Sequence, residues 1–321
     1  MPMIKPFAIY REHPDWFRPL FAELERRNIP FIPLDAARHF FDPADQHEAD
    51  AYSLVFNRMS PSAYLRGGGN STFYTLGLLD HWERQGLRVV NGNRAFTVET
   101  SKALQLSLLT SLGLGYPKAR VINHPALAPV AAEGLRFPVV VKANIGGSGA
   151  GIVRYDTLEE LRAAAEAGTI DLGLDSTALV QEFTPARNGH ITRVETLGGK
   201  YLYAINVYTD GASFNLCPAD VCQTRGGVEL TRSACAVDAP KSGISVEATT
   251  PPREVIEAVE RIAQAAQIDV GGIEYMIDDR DGRLVYYDVN ALSNFVADAR
   301  NVIGFDPHER LVDFLVAEAR G

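Results

Sequence analysis

Lys142 closes an apolar, β-branched run, FPVVVK, and is followed at once by a glycine loop and a second short apolar run in KANIGGSGAGIVRY. A buried strand seldom ends on an ammonium, because an unpaired charge withdrawn from water is costly, so Lys142 is a candidate anion partner. Gly146, Gly147, Ser148, Gly149 and Gly151 make a loop with more glycine than a plain hairpin needs. Two familiar phosphate loops do not fit the spacing. A Walker A loop places its lysine after the glycines and ahead of a helix, whereas here the lysine comes first. A dinucleotide fingerprint counted from Gly147 and Gly149 would need glycine where Ile152 stands. The pattern is strand, glycine loop, strand: a flap over something anionic.

A second constellation lies late in the chain, in GGIEYMIDDRDGRLVYYDVN. Glu274 falls on one predicted strand; Asp288 and Asn290, two apart on the next, project from one face. Oxygen ligands on adjacent strands, without His or Cys, suit a hard ion such as magnesium that keeps some water and shares nucleotide phosphates. Acidic residues in strands are otherwise commonly solvent-facing.

The elements that must position these residues follow from periodicity. Between Phe7 and Asn91 strands and helices alternate, FAIY, WFRPLFAELERR, IPFIPL, AYSLVFNR, FYTLGLLDHWERQG and LRVVN, as in an α/β layer. The turn-rich RGGGNST precedes the second helix. FTVETSKALQLSLLTSLG predicts one helix stopping at Gly113, and TLEELRAAAEAG a helix capped by Thr157 with Glu160 completing a capping box. ALVQEF is a strand, HITRVETLGGKYLYAINVYT a hairpin and PPREVIEAVERIAQAAQ a helix with proline at its start. The two site strands meet at DRDG, and HERLVDFLVAEAR forms the last helix.

At 321 residues and 46% hydrophobic composition the chain can bury one large core or two to three smaller ones. Its formal charge of -9 argues against nucleic acid or an anionic membrane as the main partner. With no apolar leader and no segment of spanning length, a cytoplasmic protein is expected. Cys217, Cys222 and Cys235 match neither a disulfide framework nor a zinc ribbon.

Taken together, the lysine-led glycine flap, the QEF strand and the late E-then-DxN set resemble the ATP-grasp superfamily, most nearly RimK-type and glutathione-synthetase-like carboxylate-amine ligases, from about Asn91 to Phe295. The resemblance implies an N-terminal Rossmann-like α/β domain (1–94), a central subdomain with the flap (95–184) and a C-terminal subdomain with the metal site (185–321), the two subdomains sandwiching ATP. It implies that Lys102 and Lys142 reach the phosphates, that Gly146, Gly147, Ser148 and Gly149 cover them, and that Gln181, Glu182 and Phe183 form the adenine hinge. It implies that Arg193, Asn215 and Arg225 serve the transferred phosphate or substrate, and that Glu274, Asp288 and Asn290 hold magnesium, with manganese as an alternative.

The chain also departs from the pattern. TPARNGH lacks the usual ribose acid, and His190 stands where relatives often have Asp, which predicts a local hydrogen bond. Ser213 replaces an arginine two positions before Asn215, and ALSNFV replaces S-P-G, which argues for a different second substrate. Arg58, at the end of VFNR, would meet a substrate carboxylate or lie on the surface. The implied activity is amide formation between a small carboxylate and an amine through an acylphosphate, in a protein that is often oligomeric. A kinase of a small hydroxylated substrate, or an inactive ATP-binding regulator, is the alternative.

Overall fold

The computed structural model describes residues 5–13, 15–45, 47–66, 71–146, 151–208, 223–225, 228–230 and 245–320. Its first layer runs β1 (Phe7–Arg11), α1 (Arg18–Arg26), β2 (Phe31–Asp35), β3 (Leu54–Arg58), α2 (Ser71–Arg84) and β4 (Val89–Val90), and the four strands form a parallel sheet in the order β2-β1-β3-β4. β1 and β3 are almost continuous apolar runs because both faces of a parallel sheet are covered.

Next come α3 (Asn93–Glu99) and α4 (Lys102–Ser111). The single helix expected here is therefore two, parted at Thr100 and Ser101. Ser101 is extended and caps α4, its Oγ accepting from Leu104 N at 3.2 Å. The second layer holds β5 (Ala119–Ile122), α5 (Ala128–Ala131), β6 (Val139–Ala143), β7 (Ile152–Tyr155), α6 (Leu158–Glu166) and β8 (Ala178–Glu182), and its antiparallel sheet runs β5-β8-β6-β7. β6 and β7 are the expected flap hairpin. Thr157 caps α6 as expected, but Glu160 reaches back to Asp156 N at 2.8 Å rather than to the N–H of Thr157.

The largest sheet is built from β9 (His190–Leu197), β10 (Lys200–Tyr208), β13 (Ser245–Thr249), β14 (Val270–Ile277) and β15 (Leu284–Asn290), in the antiparallel order β13-β10-β9-β14-β15; β11 (Gln223–Arg225) and β12 (Val228–Leu230) pair separately. α7 (Arg253–Ala266) lays Val255, Ala258, Val259, Ile262, Ala263 and Ala266 against this sheet, a stripe at helical spacing. α8 (Ala299–Val302) and α9 (Pro307–Glu318) end the described chain, and Leu311, Val312 and Leu315 of α9 share a core with β1, β3, β9 and β14. Among the described residues no helix is long and apolar enough to cross a membrane.

Asn91, 1% exposed and with φ 53°, joins the first layer to the largest sheet. Its Oδ1 accepts from Asp269 N at 2.9 Å and Val270 N at 3.0 Å, and its Nδ2 donates to Val270 O at 2.7 Å and Ala291 O at 2.6 Å. Its carbonyl accepts from Asn57 Nδ2 at 3.0 Å. Asn91→Ala would take these partners from the backbone groups of Asp269, Val270 and Ala291, three of the four contacts being buried, and we expect a loss of at least about 3 kcal/mol in urea unfolding. A change below about 1 kcal/mol would show that the two layers do not depend on this side chain.

Candidate functional site

β14 and β15 pair so that Glu274 lies directly opposite Asp288 and Gly272 opposite Asn290, which puts the three predicted ligands on one face. A register shift between Glu274 and Tyr275 leaves Tyr287 as the extra residue of β15. Its hydroxyl donates to Glu274 Oε2 at 2.6 Å, while Arg193 Nη1 donates to Glu274 Oε1 at 2.8 Å. Arg193 Nε also donates to Glu195 Oε1 at 2.6 Å, so the guanidinium lies between two buried carboxylates. The approach requires glycine at 272, where a Cβ would sit 2.4 Å from that guanidinium.

Burial, above all, pushes the Glu274 carboxyl above its ordinary range, and Arg193 opposes the rise. Burial acts the same way on Asp288, but Lys102 and Lys142 together hold that carboxyl below its ordinary range.

The face fits a hard cation in part. Each Glu274 oxygen carries one donor and keeps acceptor capacity, and Asn290 uses Nδ2 on Gly272 O at 3.3 Å. Among the described residues no three His, Cys, Asp or Glu side chains converge into a metal cage. An ion here would complete its shell with water and phosphate, as magnesium commonly does.

Both predicted lysines arrive at this face. Lys102, on the first turn of α4, donates to Asp288 Oδ1 and is not an ordinary exposed helix lysine. In β6 and β8, Val139, Val141, Ala178 and Val180 turn toward α5 and α6, so Lys142 and Gln181 occupy the other face with Leu179, which packs into the core of the largest sheet. Lys142 makes no ion pair among the described residues; burial, then the proximity of Lys102, pushes its pKa down to about 8.

Gln181 Oε1 is buried without a partner among the described residues, an acceptor suited to a nucleotide edge. The Glu182 side chain turns the other way, accepting from Arg136 N at 3.0 Å with Arg280 at 3.9 Å, and its backbone N–H donates to Lys118 O at 2.9 Å. Phe183 lies under the Arg154 guanidinium from β7, 4.9 Å from the ring centroid.

Gly146 and Gly151 bound the flap. Gly147, Ser148, Gly149, Asn215, the three cysteines and most of RGGGNST lie outside the described residues, as does the side chain of Arg225, whose backbone is in β11. His190 does not make the expected hydrogen bond through Nδ1, which is buried without a partner among the described residues; its ring lies 5.1 Å from that of Tyr208.

Three side chains hold the loop after Asn290, and their roles escape a reading of the sequence. Arg58 is 3% exposed rather than on the surface: its Nη2 donates to Ser293 O and, at 2.9 Å, to Asn294 Oδ1, and it sits over the rings of Phe17 and Phe56. Glu99 accepts from Leu292 N at 2.8 Å, and burial pushes its pKa up to about 7. Tyr203 OH accepts from Val296 N at 2.9 Å. The ALSNFV loop is thus held along its length.

With its three main sheets and flap hairpin, the chain shares the fold of solved ATP-grasp ligases. Over 98% of this chain and 99% of the other, it matches the ATP-grasp ligase PsnB complexed with a phosphomimetic variant of minimal precursor, Mg and ADP, at TM-score 0.67 and 19% identity. It matches the RimK domain protein ATP-grasp of Sphaerobacter thermophilus over 96% of this chain and 99% of that one, at TM-score 0.63 and 17% identity. In sequence it is similar to a probable alpha-L-glutamate ligase of Vibrio vulnificus, 26% identical over 235 residues, 68% of this chain and 76% of the relative. No protein-family model matches the chain. The expected resemblance to RimK-type ATP-grasp ligases is borne out.

Lys142 is charged below about pH 8 and neutral above it. Affinity for a fluorescent ADP analogue should therefore fall as pH rises through this value, and Lys142→Met should bind weakly with little pH dependence. Equal slopes for the two proteins would remove Lys142 from the phosphates. Tyr287→Phe takes one donor from Glu274, and we expect the magnesium concentration needed for half-maximal analogue binding to rise about tenfold. An unchanged requirement would show that the hydroxyl does not support the ligand.

Proposed function

We infer that the chain is an ATP-dependent ligase that joins a carboxylate to an amine through a C–N bond. The observation that carries this reading is the convergence of Lys102 from α4 and Lys142 from β6 on Asp288, across from Glu274. Cations from two elements facing an acidic pair can hold a polyphosphate together with a hard metal ion, and no nucleophilic side chain is required. The sequence relatives and the structural neighbours are ligases by name, which agrees with this reading. We place the domain limits at 1–94, 95–184 and 185–321, each containing one of the three main sheets.

In the proposed reaction a substrate carboxylate oxygen bonds to the γ-phosphorus of ATP as the bond to the β,γ-bridging oxygen breaks, releasing ADP. The amine nitrogen then bonds to the acyl carbon, phosphate leaves, and the nitrogen gives up a proton. Lys142 and Lys102 would neutralise the phosphate oxygens, and the 146–151 flap would exclude water, which destroys acylphosphates. Glu274, Asp288 and Asn290 would hold magnesium, which supplies charge stabilisation at those oxygens when bound. Arg193 would keep Glu274 in place. Gln181 and Phe183 would meet the adenine. Because a relative is called a probable alpha-L-glutamate ligase, glutamate is the first substrate to test.

The test is mass spectrometry of a reaction with Mg-ATP, glutamate within a pool of amino and hydroxy acids, and hydroxylamine. A hydroxamate formed by the natural protein and lost in Asp288→Ala is expected. A stable phosphorylated hydroxy compound without hydroxamate would move the protein to the kinases.

A further inference from the structure

The two lysines sit on different elements, and one buried side chain that contacts neither ammonium ties those elements together. Asn144, 6% exposed, follows β6 two residues after Lys142 and two before Gly146, where the flap begins. Its carbonyl accepts from Lys102 N at 3.2 Å. Its Oδ1 accepts from Ala103 N at 2.9 Å and Ser101 Oγ at 3.1 Å. The first two N–H groups of α4, of Lys102 and Ala103, are thus satisfied by the residue that follows the flap strand, and the third, of Leu104, by the Ser101 cap. Asn144 Nδ2 donates to Asp175 Oδ2 at 2.6 Å, and its N–H donates to Thr177 O at 2.9 Å.

The Asp175 bond fixes which way the amide faces. With Nδ2 committed to a carboxylate, Oδ1 must turn to α4, where the positive end of the helix favours an acceptor. Alanine would lose both contacts. Aspartate would keep the acceptor for α4 but oppose Asp175 with a like charge.

We propose that Asn144, oriented by Asp175, is a positioning residue that sets the spacing of Lys102 and Lys142 for the nucleotide phosphates and anchors the entry to the flap. The inference rests on the reading of those lysines given above. Substitution at 144 therefore acts on nucleotide binding through α4, whereas exchanging the two side chains preserves the geometry: a carboxylate at position 144 would still accept from α4, and an amide at position 175 would donate to that carboxylate.

The experiment measures the affinity of a fluorescent ADP analogue, with magnesium, together with KM for ATP and thermal melting. The proteins are the natural chain, Lys102→Ala, Lys142→Ala, Asn144→Ala, Asn144→Asp, the exchange Asn144→Asp with Asp175→Asn, and Asn144→Ala combined with Lys102→Ala. Asn144→Asp should weaken binding at least about tenfold, and the exchange should restore it to within about threefold of the natural chain. The cost of Asn144→Ala should shrink sharply once Lys102 is gone, because the two act as one unit. Should Asn144→Ala melt below the assay temperature, Asn144→Asp against the exchange decides. Failure of the exchange to restore affinity, or natural affinity in Asn144→Asp while the lysine variants bind poorly, overturns the inference alone. Natural affinity in both lysine variants overturns the site reading beneath it.

Discussion

The site depends first on a constraint outside it, the seating of Asn91 between the first layer and the largest sheet. One amide and one carbonyl reach β3, the start of β14 and the residue that follows Asn290. Glycine would tolerate the left-handed backbone, but only a side chain with both donor and acceptor satisfies the strand start and the loop at once. Arg88 reinforces the same junction next to β4, bonded to Asp269 at 2.7 Å and to Glu318 of α9 at 2.7 Å. The face that carries Glu274, Asp288 and Asn290 is therefore referenced to the N-terminal layer.

From that junction the charges are arranged by neighbours more than by exposure. Arg193 is buried, yet it is held by Glu195 and Glu274. Glu99 is buried close to Arg58 and Lys102, and its carboxyl is pushed up because the surrounding cations offset its burial only in part. Burial, then the nearby Lys102, pushes the Lys142 pKa down; Asp288 opposes that loss of charge, and Lys142 makes no ion pair among the described residues. An interior of this kind favours an anion that arrives at Lys142 over one that must displace an existing partner.

Much of this was legible in the sequence where the signal was local. The strand pair around DRDG and the DxN spacing fixed the face of the acidic set, and the β-branched run ending in lysine marked the flap strand. What remained hidden was made by distant contacts. The break between α3 and α4 is completed by Asn144, which no helix periodicity reports. Arg58 has the composition of a surface residue and is buried because two phenylalanines and the 293–294 segment receive it. The departure from S-P-G was visible, but not that Glu99, Arg58 and Tyr203 hold the replacement. His190 drew attention by type, and its packing against Tyr208 depends on β10.

The contact between Lys102 and Asp288 gives the site the character of an internal salt rather than an open cationic hole. A bare anion that approached Lys102 would have to part it from Asp288 and leave that carboxylate without its counterion, an exchange with little net gain. An anion that brings its own divalent cation meets a different balance, since Asp288 finds a new partner in the same step. In the proposed nucleotide site this pairing would act as a filter at Lys102, discriminating against inorganic phosphate and simple carboxylates before any feature of adenine or sugar is read. Selectivity of this sort comes from the partner each charge must give up.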